Sequence, residues 1–434
     1  MKRLFRNCRV LLPDHTVGAG PVLVENGVIV SAGAAAGGET PDAAVVSADE
    51  TVDLKGALLM PGLVNAHGHT AMTLLRGLGG GLPLQRWLEE AIFPVEAKMT
   101  SADVAAGVTW GVMEMLASGT TLVGDMYDFP EAGAEAFAAA GMKANVCRVG
   151  ICFSETEEAP PGRTRECIEF VRNFRDPAGR VLADFCVHSE YLTSERMVRA
   201  LAEANAELRR PVHAHVSETE KEHRECLARR GRTPIGYLAD LGLLDHGGYL
   251  AHAVWATDDD FAVVREKGAA LVHNPTSNMK LGSGFSRVPA AIAAGATVAL
   301  GTDGCASNDN LNMFEEMHLA ALVHKGLAKD PTVLTAGDVL DMATVNGARA
   351  LGRADTGAIA PGMRADFCAV DLDRPHLKPC LDVPNLLVYA AQASDVVMTV
   401  VDGEILYDHG TFTTIDAGRA EFEFLASVRR LMGR

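Results

Sequence analysis

At intervals along this chain, short apolar runs stop on a residue that can bind a metal or carry a proton, and that repetition limits the fold more than any single motif. Leu63-Val64 leads into Asn65-Ala66-His67-Gly68-His69, Phe185-Cys186-Val187 into His188, and Tyr249-Leu250-Ala251 into His252. Residues 211–216 carry His213 and His215 with Glu218 just beyond, Ala270-Leu271-Val272 leads into His273-Asn274, and residues 297–301 lead to Asp303. Helix-patterned segments lie between them. Residues 194–208 place Met197, Val198, Leu201 and Ala204 at helical spacing behind a Ser start, and 288–294 covers a shorter crossover. Strands alternating with helices imply a parallel sheet with right-handed crossovers. Polar residues gathered at the C-terminal strand ends point to a (β/α)8 barrel, whose chemistry sits on that face. His67 and His69 are two positions apart, so a strand sets both imidazoles on one side, able to hold one ion at about 2.0–2.1 Å.

The ends of the chain read differently from its middle. Val22-Leu23-Val24 and Val28-Ile29-Val30 flank the turn residues Glu25-Asn26-Gly27, which is a hairpin pattern. Residues 398–401 and 404–407 repeat it around Asp402-Gly403, after a strand-like stretch at 365–371. One small β domain built from residues 1–59 and 352–434 is therefore expected, with the barrel at 60–351. Beyond Asp416 a terminal helix is expected to bury Phe422, Leu425, Val428 and Leu431. Thr100 or Ser101 caps a helix reaching about Ala117 and closed by Gly119. Four glycines at 77–81 follow the paired histidines, where a first barrel loop lies, and read either as a lid or as a plain surface loop. A short Ala/Gly-rich tract occupies 32–38.

Composition removes several function classes. With 434 residues, 48% of them hydrophobic, the chain has material for a large core, yet no apolar stretch reaches the roughly 18 residues of a membrane span. The opening residues pass straight into strand-like sequence without a signal-peptide core, so the cytoplasm is the expected compartment. Nine scattered cysteines without a CxxC pair read as reduced, buried residues. A net charge of −17 argues against nucleic-acid and anionic-membrane partners.

Together these stretches resemble the amidohydrolase superfamily, in particular its 5-methylthioadenosine/S-adenosylhomocysteine deaminases. The resemblance covers nearly the whole chain and is carried by residues 61–69, His215-Val216-Ser217-Glu218, residues 273–284, Leu300-Gly301-Thr302-Asp303-Gly304 and residues 357–366. It implies a distorted (β/α)8 barrel beside a composite β-sandwich. It also implies one divalent ion, usually zinc with iron, manganese or nickel as substitutes, held by His67, His69, His215 and Asp303. His213 competes with His215 for the same face of its strand, and the family's His-x-x-Glu spacing to Glu218 selects His215. No lysine suited to bridging two metals stands near His188, so the expected site is mononuclear.

The chemistry implied is hydrolytic deamination of an adenine group in a small-molecule nucleoside. A metal lowers the pKa of water from about 15.7 towards roughly 7. Asp303 then takes the water's proton, His252 orients the nucleophile, and Glu218 protonates N1 and passes a proton to the departing ammonia. By position in the family pattern Trp87 lies against the nucleoside, Glu96 meets the ribose hydroxyls and His188 touches the sugar or its substituent. Arg148 and Arg163 stand where similar proteins hold the carboxylate of S-adenosylhomocysteine. Related proteins form homo-oligomers. Three positions depart from the family: Gly68 stands for Thr, Gly79-Gly80-Gly81 for an acidic segment, and Glu190 for Pro. All three are expected near the ribose and 5′ side, where a carboxylate would repel an anionic tail or accept a hydrogen bond from a sugar hydroxyl. The alternative substrates are guanine, a pterin or an s-triazine, or a cyclic amide, and a noncatalytic nucleoside-binding protein is the remaining alternative.

Overall fold

The structure, a computed structural model, describes residues 1–33, 47–156 and 161–433, so residues 34–38 of the Ala/Gly-rich tract lie outside the described residues. Eight parallel strands make the barrel: β1 (Leu63–His69), β2 (Thr120–Tyr127), β3 (Lys143–Arg148), β4 (Val181–Ala183 and Phe185–Val187), β5 (Val212–Val216), β6 (Gly248–His252), β7 (Ala270–His273) and β8 (Thr297–Leu300 and Asp303–Gly304). They pair in chain order. The first piece of β4 pairs with β3 and the second with β5. Likewise the first piece of β8 pairs with β7, and the second with β1, Asp303 opposite Gly68. The two interrupted strands thus carry the chain from one five-stranded ladder to the other. β1, β2, β5, β6 and β7 are buried along their whole length, as expected where helices cover a parallel sheet.

Local signals start the crossover helices where the sequence places them. Ser101–Ala117 begins with Thr100 and Asp103 capping each other, and Glu195–Leu208 begins with the Ser194 hydroxyl accepting from the Met197 N–H. The latter helix buries Met197, Val198 and Leu201.

The chain's two ends meet in one sandwich. A four-stranded sheet orders Val28–Ser31, Val22–Glu25, Lys2–Arg6 and Glu50–Asp53. A seven-stranded sheet joins N-terminal strands to Phe367–Val370, Val396–Val401 and Glu404–Asp408, with Phe367–Val370 paired to Leu58–Pro61. Phe5 meets Phe367 edge to face at 5.0 Å in the core between them, with Ile29, Leu59 and Val400 alongside. Both hairpins turn on two residues of positive φ, Asn26-Gly27 and Asp402-Gly403, which matches the twist of the flanking strands. Leu58–Pro61 of the larger sheet runs into β1 after a single residue, and buried Lys143 on β3 pairs with Asp366 and Asp402 of the sandwich. The sandwich therefore anchors the barrel strand that carries the paired histidines.

The terminal helix Ala417–Met432 forms behind its Asp416 cap, but its buried face differs from the expected stripe. Leu431 is buried while Phe422 is 68% exposed and Leu425 also faces solvent. The helix rests on Ser101–Ala117, with Phe424 stacked on Trp110 at 4.9 Å. That contact turns Ala420, Phe424, Val428 and Leu431 inward at the 3.6-residue period and leaves Phe422 and Leu425 outside.

Candidate active site

Three imidazoles and one carboxylate meet at the C-terminal mouth of the barrel. His67 and His69 come from β1, His215 from β5 and Asp303 from β8. The Nε2 atoms of His67 and His69 each lie 3.2 Å from Asp303 Oδ1, and those of His69 and His215 lie 3.2 Å apart. One ligand atom from each of His67, His215, His252 and Asp303 can be chosen with all four within 4.8 Å of one another. Each imidazole is held from behind. His69 Nδ1 is 2.6 Å from the Met126 carbonyl and His215 Nδ1 is 2.7 Å from the His188 carbonyl, so both donate there and turn Nε2 towards the cluster. His67 Nδ1 faces His213 Nε2 at 2.6 Å. Its Nε2 is buried without a well-aligned hydrogen bond, an open donor atom aimed at the cluster. Asp303 is similarly fixed, with the Ser277 and Ser307 hydroxyls 2.7 and 2.8 Å from Oδ2 while Oδ1 faces the imidazoles. These N and O donors fit a divalent transition ion.

The electrostatics suit the same purpose. Burial pushes Asp303 up, but the His67 and His69 imidazoles beside it hold it well below the usual carboxylate range. Burial lowers His67 to about 4, so it is neutral at pH 7. His69 is raised to about 9 because Asp303 outweighs burial, so an ion bound here would displace its proton. Burial, reinforced by His188, takes His215 far down. Asp303 and His252 both have positive φ, 63° and 72°, a strained conformation for residues that are not glycine and one frequent at functional sites.

Glu218 stands beside this cluster without entering it. Its backbone N–H and that of Ser217 donate to the two carboxylate oxygens of Glu222 at 2.7 and 3.0 Å, which fixes the turn leaving β5. Oε1 accepts from Ser283, and Oε2 lies 3.9 Å from His252 Nε2. Burial raises the Glu218 pKa while His252 opposes it, so the carboxyl is poised to hold a proton at higher pH than an exposed one. His252 is oriented by Asn278 Oδ1, 2.9 Å from its Nδ1.

A pocket of about 930 Å3, counted with its open mouth, lies in front of these groups. Trp87, Glu96 and His188 line it, as do Met99, Phe129 and Tyr191. The Trp87 indole is buried and donates to the Leu78 carbonyl, so it is pinned beneath the glycine-rich loop. Glu96 accepts a 2.6 Å hydrogen bond from Tyr127, and burial raises its pKa against that bond.

Other expected residues lie elsewhere. Arg148 is outside the pocket, in a surface groove, and binds both oxygens of Glu131 at 2.7 and 2.8 Å. Arg163 does not line the pocket either; it pairs at 2.6 Å with Asp128, whose carboxylate borders the rim. Glu190 faces away, buried between Arg229 and Arg230 at 2.6 and 3.0 Å, and the adjacent Tyr191 takes the pocket side. Sequence reasoning missed Tyr127, Ser307 and Glu222. Asn274, Ser277 and Asn278 fall inside a family-like stretch, but nothing in their spacing assigned them roles; Asn278 and Asn274 lie 2.9 and 3.3 Å from His252 Nδ1.

Residues 58–406 match the model of the amidohydrolase family. The chain belongs to this family. As an amidohydrolase it is 42% identical, over 89% of either chain, to the 5-methylthioadenosine/S-adenosylhomocysteine deaminase of Acetivibrio thermocellus. It is 41% identical to the 5′-deoxyadenosine deaminase of Methanosarcina mazei, over 99% of this chain and 98% of that one. The solved structure of an adenosine deaminase from Xanthomonas campestris with bound zinc superposes with a TM-score of 0.91 at 34% identity, covering 100% of this amidohydrolase and 99% of that chain. No helix among the described residues is long and apolar enough to cross a membrane.

Proposed function

We propose that this amidohydrolase deaminates the adenine group of adenosine-type nucleosides, namely S-adenosylhomocysteine, 5-methylthioadenosine, adenosine or 5′-deoxyadenosine, to the inosine analogue and ammonia. The observation that carries this reading is a buried carboxyl group, Glu218, 3.9 Å from His252 and beside four converging metal-competent donors. The activities for which the Acetivibrio and Methanosarcina relatives are named support it. His67, His69, His215 and Asp303 would hold one divalent ion, with zinc suited to three imidazoles and a carboxylate and iron, manganese or nickel as substitutes. Such an ion would make hydroxide available at neutral pH by lowering the pKa of water to about 7. Asp303 would take the water's proton, and His252 would orient the nucleophile towards carbon 6. Glu218 would give its proton to N1, recover one from the new C6 hydroxyl and hand it to the leaving amine, and the proton held by Asp303 would restore Glu218. Trp87 covers the nucleoside, Glu96 takes the ribose hydroxyls and His188 borders the sugar.

Arg148 and Arg163 would reach a long 5′ tail only by leaving Glu131 and Asp128. Among the described residues no Lys or Arg lines the pocket, which favours a short uncharged 5′ group over a carboxylate tail. We assign catalysis to residues 60–351 and the sandwich to residues 1–59 and 352–434. We place the protein in the cytoplasm and expect a homo-oligomer that binds no nucleic acid.

The test is ammonia release from metal-replete protein across the four adenosine compounds, guanine, a pterin and an s-triazine. We expect 5′-deoxyadenosine and 5-methylthioadenosine to exceed S-adenosylhomocysteine in kcat/KM by at least about tenfold, the discrimination of a modest binding difference of about 1.4 kcal/mol. Turnover confined to guanine, the pterin or the triazine refutes the adenosine assignment. Equal turnover of all four adenosine compounds refutes only the ranking.

A further inference from the structure

Two of the three ligand histidines are oriented by main-chain carbonyls, and the third is not. His69 and His215 donate Nδ1–H to Met126 and His188, acceptors that permit one hydrogen position only. The partner of His67 is another imidazole, His213 Nε2 at 2.6 Å, which could donate or accept. What lies behind His213 completes a consistent sequence of bonds. Its Nδ1 is 3.6 Å from Cys147 Sγ, and that sulfur is 3.4 Å from the Asp125 carbonyl oxygen, which can only accept. With the Cys147 S–H donated to that carbonyl, Sγ accepts His213 Nδ1–H, and His213 Nε2 is left to accept His67 Nδ1–H. In that direction each hydrogen has one acceptor, and the lone pair of His67 Nε2 points into the cluster. The opposite direction puts a hydrogen on His67 Nε2, where it blocks a ligand position. His213 itself cannot swing: it is fully buried, and its ring packs 4.2 Å from Tyr249, whose hydroxyl donates to Asp184 at 3.1 Å.

We infer that His213 is a positioning residue that fixes the tautomer and ring orientation of His67, so that the site's affinity for its ion depends on an imidazole one layer below it. This rests on the reading of His67 as a ligand. Groups that orient a metal-bound histidine typically change metal affinity by about 10–100-fold when lost.

The test is zinc affinity, read by competition with a chromophoric chelator, for the full-length wild type, His213→Leu, His213→Gln and His67→Ala. Leu fills much of the space and removes the acceptor, whereas the Gln amide oxygen can stand at the Nε2 position. Zinc binding should weaken about 10–100-fold in His213→Leu and recover most of that loss in His213→Gln. Should the Leu variant not fold, nitrogen-resolved spectra of the zinc-loaded wild type decide the matter, with hydrogen expected on His213 Nδ1 and not on Nε2. Undiminished affinity in His213→Leu, or a hydrogen on His213 Nε2, overturns this inference while leaving His67 a ligand. If the wild type binds no zinc, or His67→Ala binds it as tightly as the wild type, the ligand assignment falls and the inference falls with it.

Discussion

Replacing Glu218 by Gln tests proton delivery with little structural disturbance. The side chain is buried and acts as an acceptor: Oε1 takes the Ser283 hydroxyl, while the backbone N–H is held by Glu222. A glutamine amide keeps the oxygen for Ser283 and the length of the side chain, so the turn after β5 should survive. What disappears is the titratable proton. General acid–base catalysis by one positioned group contributes about 10²–10⁴-fold. Because the same carboxyl serves N1 and then the departing amine, the loss should lie in the upper part of that range, about 10³–10⁴-fold in kcat, or roughly 4–5.5 kcal/mol. The assay is the ultraviolet change of adenine to hypoxanthine, run beside metal analysis so that each preparation carries the same ion content. The raised pKa also sets the sign of the pH dependence, since proton donation needs the protonated acid and activity should fall as pH rises through the pKa of Glu218. That limb should vanish in Glu218→Gln. A variant with full metal content and less than about tenfold loss refutes the role, because roughly 1.4 kcal/mol is too little for an essential proton donor.

Removing the ion with a chelator should abolish turnover and lower the melting temperature, since a ligand at a thousand times its Kd contributes about 4 kcal/mol to the folded state, and adding zinc back should restore both; full activity in protein shown to be metal-free refutes the site. Gly79 has φ +75°, and a Cβ there would meet Ala91 at 2.6 Å and Trp87 at 2.8 Å, whereas one on Gly80 meets nothing within 4 Å. Steady-state kinetics should therefore show a several-fold higher KM for Gly79→Ala and near-normal values for Gly80→Ala, the left-handed conformation alone costing the former about 1–2 kcal/mol. Glu316, fully buried on the helix Met313–Ala328, accepts from the Thr276 N–H and from Asn308. Burial, against those bonds, pushes its pKa from 4.5 to about 7. Its folded state binds the proton more tightly than its unfolded state, so the associated stability is complete below about pH 4.5 and is lost as pH rises to about 7. The displacement is worth roughly 3 kcal/mol. Denaturant melts should show that decline in the wild type and a flatter profile in Glu316→Gln.

The histidines were legible because a strand has a period of two and barrel chemistry collects at strand ends, both of which are properties of local sequence. That rule could not separate His213 from His215, since the two side chains point into the same barrel. Depth decides between them: His215 ends the strand at the mouth beside His69, while His213 lies one layer lower, beneath His67. Period two thus reports the face of a strand and not the height along it. Long charged side chains were the least legible, because their partners come from remote segments. Glu190 follows His188-Ser189 closely, yet the short turn Glu190–Leu192 sends it outward to arginines at the end of Glu220–Arg230 and gives the pocket Tyr191. Arg148 and Arg163 likewise meet Glu131 and Asp128, pairings that no spacing rule foretells. The terminal helix shows the same limit in apolar form: a repeat of three and four residues fits more than one stripe, and only the contact between Phe424 and Trp110 selects which one turns inward. Main-chain periodicity therefore marked the side chains that converge at the barrel mouth, where side chains are short and strands rigid. In the proposed reading the substrate's far end would meet loops and ion pairs, so selectivity for the 5′ group would depend on how readily Arg163 gives up Asp128, a competition between two states of one side chain that a sequence pattern does not encode.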